Sequence, residues 1–366
     1  MKQQRGFKFA LYPDARQRVL LEKTFGCTRF LYNKMLDDKI RHYEQTKENI
    51  ILTPAYYKEA YPFLKEVDCM ALVNAQRNLE RAFRNFFRDR RYGFPRWKSK
   101  HKSRKSYTTN VIHHNIELKD GYLKLPKLKW VKIRQHRGIP EEYRLKSVTV
   151  SQCANGTYEA SLLYEYEIEI QPKKVERMIG LDYAQGCLYI DSEGNSGDYP
   201  HYYRRLEHRL AKEQRRLTHM EKNSRNWIKQ KQRIQVLYEK ISHQRRDFLH
   251  KQSRQIANAW DAVAVEDLNM MEMSKSLHLG KNLMDNSYGM FRSFLAYKLE
   301  EQGKQLLRID RYFASSRVCS RCGNVLEELP IEERIFHCSA CGHVMDRDHN
   351  AAVNLCHEGR KILQSV

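Results

Sequence analysis

Apolar positions recur along this chain with two different periods, and the changes of period divide it into segments. Gly6–Tyr12 alternates as a short strand and stops at Pro13-Asp14. From Ala15 to about Asn49 the period is helical, with Val19, Leu20, Phe25, Phe30, Leu31, Met35 and Ile40 as the apolar face. A second helical stretch follows Pro54 and leads into Met70–Arg91, where Leu72, Ala75, Leu79, Phe83 and Phe86 recur at three- and four-residue steps. From Ser106 to Glu169 the period falls to two. Asn115–Pro126 alternates about an Asp120-Gly121 turn, and Ser147–Ser151 and Tyr158–Ile168 form a pair around Asn155-Gly156. These strands predict an all-β module, a small barrel that the opening strand could complete. Gln171–Lys174 marks a domain boundary. Two long helical segments lie between Tyr202 and Asn258, the first with a seam of Leu206, Leu210 and Leu217.

The polar faces of these helices are unusual. Arg77, Arg81, Arg84 and Arg88 stand on one side of the 70–91 helix, and Arg205, Arg209, Lys212 and Arg216 repeat the 4, 3, 4 spacing on a later one. Stacked cations on one helix face repel unless an anion neutralises them. A solvated face is the plainer reading, but two such stripes favour a channel for a phosphate backbone. The loop Tyr92–Lys105, with Arg96, Trp97 and Lys98, interleaves cations and aromatic rings in a way that suits phosphate contact with base stacking; a basic linker is its plainer reading. Over the whole chain, 66 Lys+Arg face 44 Asp+Glu, a net +22. That excess calls for a polyanionic partner, and nucleic acid fits better than a membrane. The N-terminus resembles neither a signal peptide nor a myristoylation site, and no apolar run is long enough to span a bilayer. A cytoplasmic protein is expected.

Four of the nine cysteines form two pairs, Cys319-Ser-Arg-Cys322 and Cys338-Ser-Ala-Cys341, with fifteen residues between them. The spacing fits a tetrahedral four-thiolate zinc site, with Gly323 and Gly342 placed for the tight turns of a zinc ribbon. A redox dithiol is the competing reading. Four thiolates leave no open position, so the zinc would be structural. The other five, Cys27, Cys69, Cys153, Cys187 and Cys356, are scattered as buried thiols of a reducing compartment are.

Three carboxylates carry the candidate chemistry. Asp182 ends the apolar run of Arg177-Met-Ile-Gly-Leu-Asp, Glu266 ends Trp260-Asp-Ala-Val-Ala-Val-Glu, and Asp348 precedes the Ala-rich helix of Asp-Arg-Asp-His-Asn-Ala-Ala. Taken singly, each has a plain explanation: a strand giving way to a loop, or a helix cap. Together they form the ordered set of an RNase H-like nuclease, in which carboxylates bridge two divalent ions about 3.5–4 Å apart. Hard oxygen ligands select Mg²⁺ or Mn²⁺.

These residues in this order resemble the TnpB proteins of bacterial insertion sequences, relatives of the type V CRISPR effectors. Asp182, Glu266 and Asp348 match the three RuvC motifs of that family, and the cysteine pairs fall between the second and third, where the family places its zinc ribbon. Phe25–Lys34 and Gly93–Lys100 are also similar to family phrases, so the likeness spans nearly the whole chain. Two details stand apart. Ala184 occupies a position that is Gly in many members, which alters a turn and not a ligand. Asp346 competes with Asp348, and the family's placement of its ligand two residues before Asn350 favours Asp348.

The resemblance implies a multidomain α+β fold. A β-barrel wedge domain is expected at 1–13 and 105–172, a helical recognition domain at 14–104, and an RNase H-like (RuvC) α/β nuclease domain at 175–366, with a zinc-ribbon insertion at about 314–344. It implies a monomer bound to a guide RNA from a transposon end, cutting double-stranded DNA beside a short target-adjacent motif. Base pairing would then read the sequence while basic grooves hold the backbone, and binding should be strongly salt-sensitive. A nuclease-inactive RNA-guided repressor on the same scaffold is the main alternative, opposed by the intact triad. A guide-independent nuclease or transposition accessory protein fits the basic N-terminal half less well. A zinc-ribbon DNA-binding module leaves the carboxylates unexplained.

Overall fold

The opening alternation extends further than the sequence predicts. In a computed structural model describing residues 2–100, 103–184, 186–269, 285, 287–330 and 332–365, β1 runs Lys2–Tyr12. The chain divides into two compact units, Met1–Ile168 and Glu169–Val366.

In the first unit β1 is the shared strand of a seven-stranded antiparallel sheet. It pairs with β7 (Tyr158–Glu167) from Lys2↔Glu167 to Leu11↔Tyr158, and its last residues pair with β5 (Lys129–Arg134). With β2 (Ser106–Asn110), β3 (Glu117–Lys119), β4 (Tyr122–Leu125) and β6 (Arg144–Gln152), the order is β2-β6-β7-β1-β5-β4-β3. Asp120 and Gly121 both have positive φ, 49° and 76°, as the two-residue β3–β4 hairpin requires. Phe7, Phe9 and Leu11 alternate into one core with Leu123, Leu125, Val131, Ile133, Val148, Val150, Ala160 and Leu162. The sheet curls around this core, but no ladder among the described residues joins β2 to β3, so hydrogen bonding leaves it open.

Leu21 and Phe25 of α1 (Ala15–Thr46) and Ala71 of α3 (Cys69–Arg88) cover that core. Asp14 starts α1 with a capping box, accepting from the Gln17 N–H while Gln17 returns to the Asp14 N–H. Further along, α1 packs with α2 (Pro54–Ala60) and α3 around Leu31, Met35, Leu36, Tyr57, Leu64, Leu72 and Leu79. The predicted face of α1 is therefore rotated: Val19 is 59% exposed, while Leu21 and Leu36 are fully buried. Serving two cores shifts the buried stripe from the one a single-face reading selects.

The second unit is built on a four-stranded mixed sheet, β11-β10-β8-β9. Here β8 is Met178–Asp182, β9 Ile190–Asp191, β10 Ala262–Glu266 and β11 Gln305–Ile309. β10 runs parallel to both β8 and β11. Its faces are both covered, so β8 and β10 read as continuous apolar runs. On one face Ile179, Leu181, Val263 and Val265 meet α5 (Arg225–Ala259) and α6 (Tyr288–Glu300) through Leu249, Ile256, Phe291, Leu295 and Leu299. On the other, Met178, Ala262 and Ala264 meet Leu355 and Cys356 of α7 (Arg347–Gln364). α4 (Tyr202–Thr218) lies antiparallel on the first half of α5 around Leu210, Ile234, Leu237 and Ile241. Asp261 fixes the start of β10 by accepting the Arg177 N–H at 3.1 Å and pairing with Lys173 at 2.7 Å.

Gly180 sets the distance between α7 and the sheet. A Cβ there would lie 2.1 Å from the Ala352 carbonyl oxygen and 2.7 Å from the Cys356 amide nitrogen, both backbone atoms that cannot step aside. Gly180→Ala is expected to destabilise the second unit by about 3 kcal/mol, the upper range for overpacking. Chemical denaturation checks this. No helix among the described residues is long and apolar enough to cross a membrane.

Candidate metal centre and nucleic-acid interface

Strand parity decides where the carboxylates go. Side chains alternate along a strand, so Asp182 and Glu266 share the face of Met178, Gly180, Ala262 and Ala264, the face covered by α7. They leave the same end of neighbouring parallel strands, one residue beyond the Leu181↔Val265 pair. Asp348 stands in the first turn of α7 on that side. Asp346 is the N-cap of α7, its carboxylate accepting the His349 N–H at 2.9 Å. The capping role open to either aspartate is thus taken by Asp346, which leaves Asp348 facing Asp182.

The three carboxylates strain against one another. Burial pushes the Asp182 carboxyl well above the usual range, and Asp348 and Glu266 push it further. Burial raises Glu266 to about 7 against the pull of Arg292. Asp348 is raised by burial and by Asp346, with Arg334 and Arg347 opposing. Among the described residues these carboxylates do not form a set as tight as the cysteines, whose four sulfurs lie within 4.8 Å of one another. A partly buried set of hard oxygen anions, in which Asp348 and Glu266 both raise Asp182, suits divalent cations.

The sign of these shifts gives a stability prediction. A carboxylate whose folded pKa is raised makes the folded state bind more protons, so it favours folding at low pH. That contribution is lost as pH climbs from the unfolded value near 4 through the folded one. Without divalent ions, Glu266→Gln and Asp182→Asn should raise the melting temperature by a few degrees at about pH 8, roughly 2 kcal/mol for Glu266 after allowance for residual solvent. The gain should vanish near about pH 4. Thermal melts in a chelator measure it.

Residues outside the sequence motifs hold this site. Arg292 of α6 donates to the Glu266 carbonyl at 3.0 Å and the Leu268 carbonyl at 3.0 Å, fixing the end of β10. Tyr288 is buried beneath, its ring 4.9 Å from Tyr183. Arg334 reaches within 3.8 Å of Asp348. Arg292 touches β10 through backbone carbonyls, a contact with no sequence signature.

The four cysteines come together. Sγ of Cys319 lies 3.7 Å from that of Cys341, and Cys322 3.6 Å from Cys338. A disulfide would bring sulfurs to about 2.05 Å. A tetrahedron with metal–sulfur bonds of about 2.3 Å has edges of about 3.8 Å, close to both distances. Backbone N–H groups of Cys341 and Ala340 draw the Cys338 thiol down, while hydrogen bonding to the neighbouring thiols pushes Cys322 up against the Asn324 N–H, so the four sulfurs behave as one proton-sharing set. A hairpin of β12 (Ile335–His337) and β13 (Val344–Asp346) carries the second pair into α7.

The basic stripes lie on the surface. Arg77, Arg81, Arg84 and Arg88 on α3 are all exposed, as are Arg205, Arg209, Lys212 and Arg216 on α4. Arg216 pairs with Glu213 at 3.2 Å. In the basic loop, Arg96 is exposed and Trp97 is 54% exposed. Lys98 differs: its ammonium sits 4.0 Å over the Tyr32 ring, and its backbone is held in both directions by the Asn33 amide. It anchors the loop to α1. His101 and Lys102 of that loop, and Gln185 of the first acidic motif, lie outside the described residues.

The fold is that of the Cas12f1 class. The chain superposes on the protein of a solved Cas12f1-sgRNA-target DNA complex with a TM-score of 0.58 and 13% identity, covering 97% of this chain and 99% of that one. Family models match at residues 161–277 (OrfB_IS605, probable transposase), 288–355 (Cas12f1-like, TNB domain) and 1–48 (a helix-turn-helix domain of OrfB_IS605). The last segment is here a strand and one long helix rather than two helices and a turn. A Streptomyces pristinaespiralis protein named as a candidate RNA-guided DNA endonuclease is 36% identical, over 97% of this chain and 89% of its own length. InsQ of Escherichia coli K12, similarly named, is 30% identical over 99% and 94%. The chain belongs to the TnpB family.

Proposed function

We propose that this chain is an RNA-guided DNA endonuclease of RuvC type. The observation that carries the reading is the convergence of Asp182, Glu266 and Asp348 at the ends of two parallel strands and the start of the helix packed on them. Asp182, Glu266 and Asp348 would hold Mg²⁺ or Mn²⁺, which when bound would supply charge neutralisation of the phosphodiester and activation of water. The protein's own part is to hold Asp182 and Glu266 in register and keep the site apolar beneath. Arg292 keeps Glu266 at the strand end. Zn²⁺ suits Cys319, Cys322, Cys338 and Cys341 as a structural ion.

In this reading residues 14–104 are the recognition domain, 1–13 and 105–172 the wedge domain, and 175–366 the RuvC domain, with the cysteine module at about 314–344 its zinc ribbon. Arg77, Arg81, Arg84, Arg88, Arg96 and Trp97 contact nucleic acid, as do Arg205, Arg209, Lys212 and Arg216. Lys98 contributes mainly by anchoring the loop. The partners are a guide RNA from a transposon end and double-stranded target DNA.

The test is to purify the protein from cells carrying its own flanking DNA and sequence the RNA that comes with it. A discrete RNA that directs Mg²⁺-dependent cutting of matching DNA supports the reading. A matched complex that binds and never cuts would favour a repressor. No specific RNA would refute guidance.

A further inference from the structure

Asn350 is completely buried and bonds to the peptide groups on either side of Cys319. Its Oδ1 accepts the Ser320 N–H at 3.0 Å and its Nδ2 donates to the Val318 carbonyl at 2.7 Å. One side chain thereby grips the loop that carries Cys319 as a neighbouring strand would grip a strand. Asn354, one turn later and 4% exposed, donates to the same Val318 carbonyl at 2.7 Å and to the Ser315 carbonyl at 2.8 Å. A second grip closes on the helix start: the Arg347 N–H donates to the Arg334 carbonyl at 2.8 Å, and the Arg347 guanidinium to the Pro330 carbonyl at 2.8 Å. Cys341 joins Asp348 through β13 in seven residues. The first turn of α7, which carries Asp348, is thus held by the cysteine module from two sides; Asp346 makes the helix cap, and the Asp348 carboxylate faces Arg334 of the same module at 3.8 Å.

We infer that the cysteine module is a brace for the carboxylate centre, and that Asn350 and Asn354 are positioning residues that set Asp348 through it. A loosened first turn would widen the separation of Asp348 from Asp182 and Glu266. Cation affinity falls before the fold does, because groups that orient metal ligands typically govern 10–100-fold in affinity or activity. This role rests on the nuclease reading above, so the test separates the two.

The RNA complex from the native host, with the parent chain, Asn350→Ala, Asn354→Ala and Asp182→Ala, is titrated with Mg²⁺ on matched DNA. Zinc content and co-purified RNA are measured on each, with hydrogen exchange over residues 346–352. Asn350→Ala should keep its zinc and RNA, exchange faster in that segment, and need about tenfold more Mg²⁺ for half-maximal cutting, with partial rescue by Mn²⁺. Asn354→Ala should move the same way by less. An Asn350→Ala complex that titrates and exchanges like the parent overturns the brace, provided Asp182→Ala is inactive. Cutting by Asp182→Ala overturns the nuclease reading and this role with it. If Asn350→Ala does not fold, Asn354→Ala decides by the same criteria.

Discussion

Asp182→Ala is expected to leave the RNA complex intact and to reduce cutting of matched DNA by at least about 10³-fold, the scale on which removing a member of a concerted catalytic set acts. Asp182 is the carboxylate on which the others act most: both Asp348 and Glu266 raise it. Its removal leaves Asp348 and Glu266 without the group between them. The fold should not suffer, because the mutual repulsion of buried carboxylates is relieved. Single-turnover cutting assays beside RNA retention measure both halves. Loss of cutting together with loss of RNA would assign Asp182 to folding instead.

Cys338→Ser is the second large effect. Cys338 is 4% exposed, and Phe336, beside it, is fully buried in a small cluster with Cys319, Leu326 and Leu329. So few apolar side chains cannot hold residues 315–346 folded alone. Structural zinc sites contribute on the order of 10 kcal/mol to the folding of such modules. With zinc as the ion proposed for the four cysteines, the variant should fail to retain it, expose this segment to proteolysis, and lose cutting by about 10²-fold or more through Asp348. The seven-stranded sheet of the first unit should stay intact. Limited proteolysis with mass spectrometry locates the cuts.

Much of this was legible because period and punctuation carry local physics. The Asp120-Gly121 hairpin follows from two residues that tolerate positive φ. Asp182 and Glu266 stand out because a strand buried on both faces reads as an unbroken apolar run, and a carboxylate at its end breaks that run. The cysteine spacing announces a closed donor set. Other features depend on tertiary context. Val19 looks apolar-facing until α1 is seen to serve two cores. A strand shared by two partners can close a barrel or leave a curled sheet open, and alternation does not distinguish them. Lys98 sits among cations in sequence, yet its ammonium lies over Tyr32. Arg292 acts through carbonyl groups, and the contribution of Asn350 depends on a loop that begins 32 residues earlier at Val318.

The most direct test of the central claim is to rewrite the guide segment of the co-purified RNA and follow where the protein cuts. Cutting that moves to DNA matching the new segment, requires Mg²⁺, and disappears in Asp182→Ala is the predicted result. Cutting that stays at the original site, or that needs no matching RNA, would contradict RNA guidance.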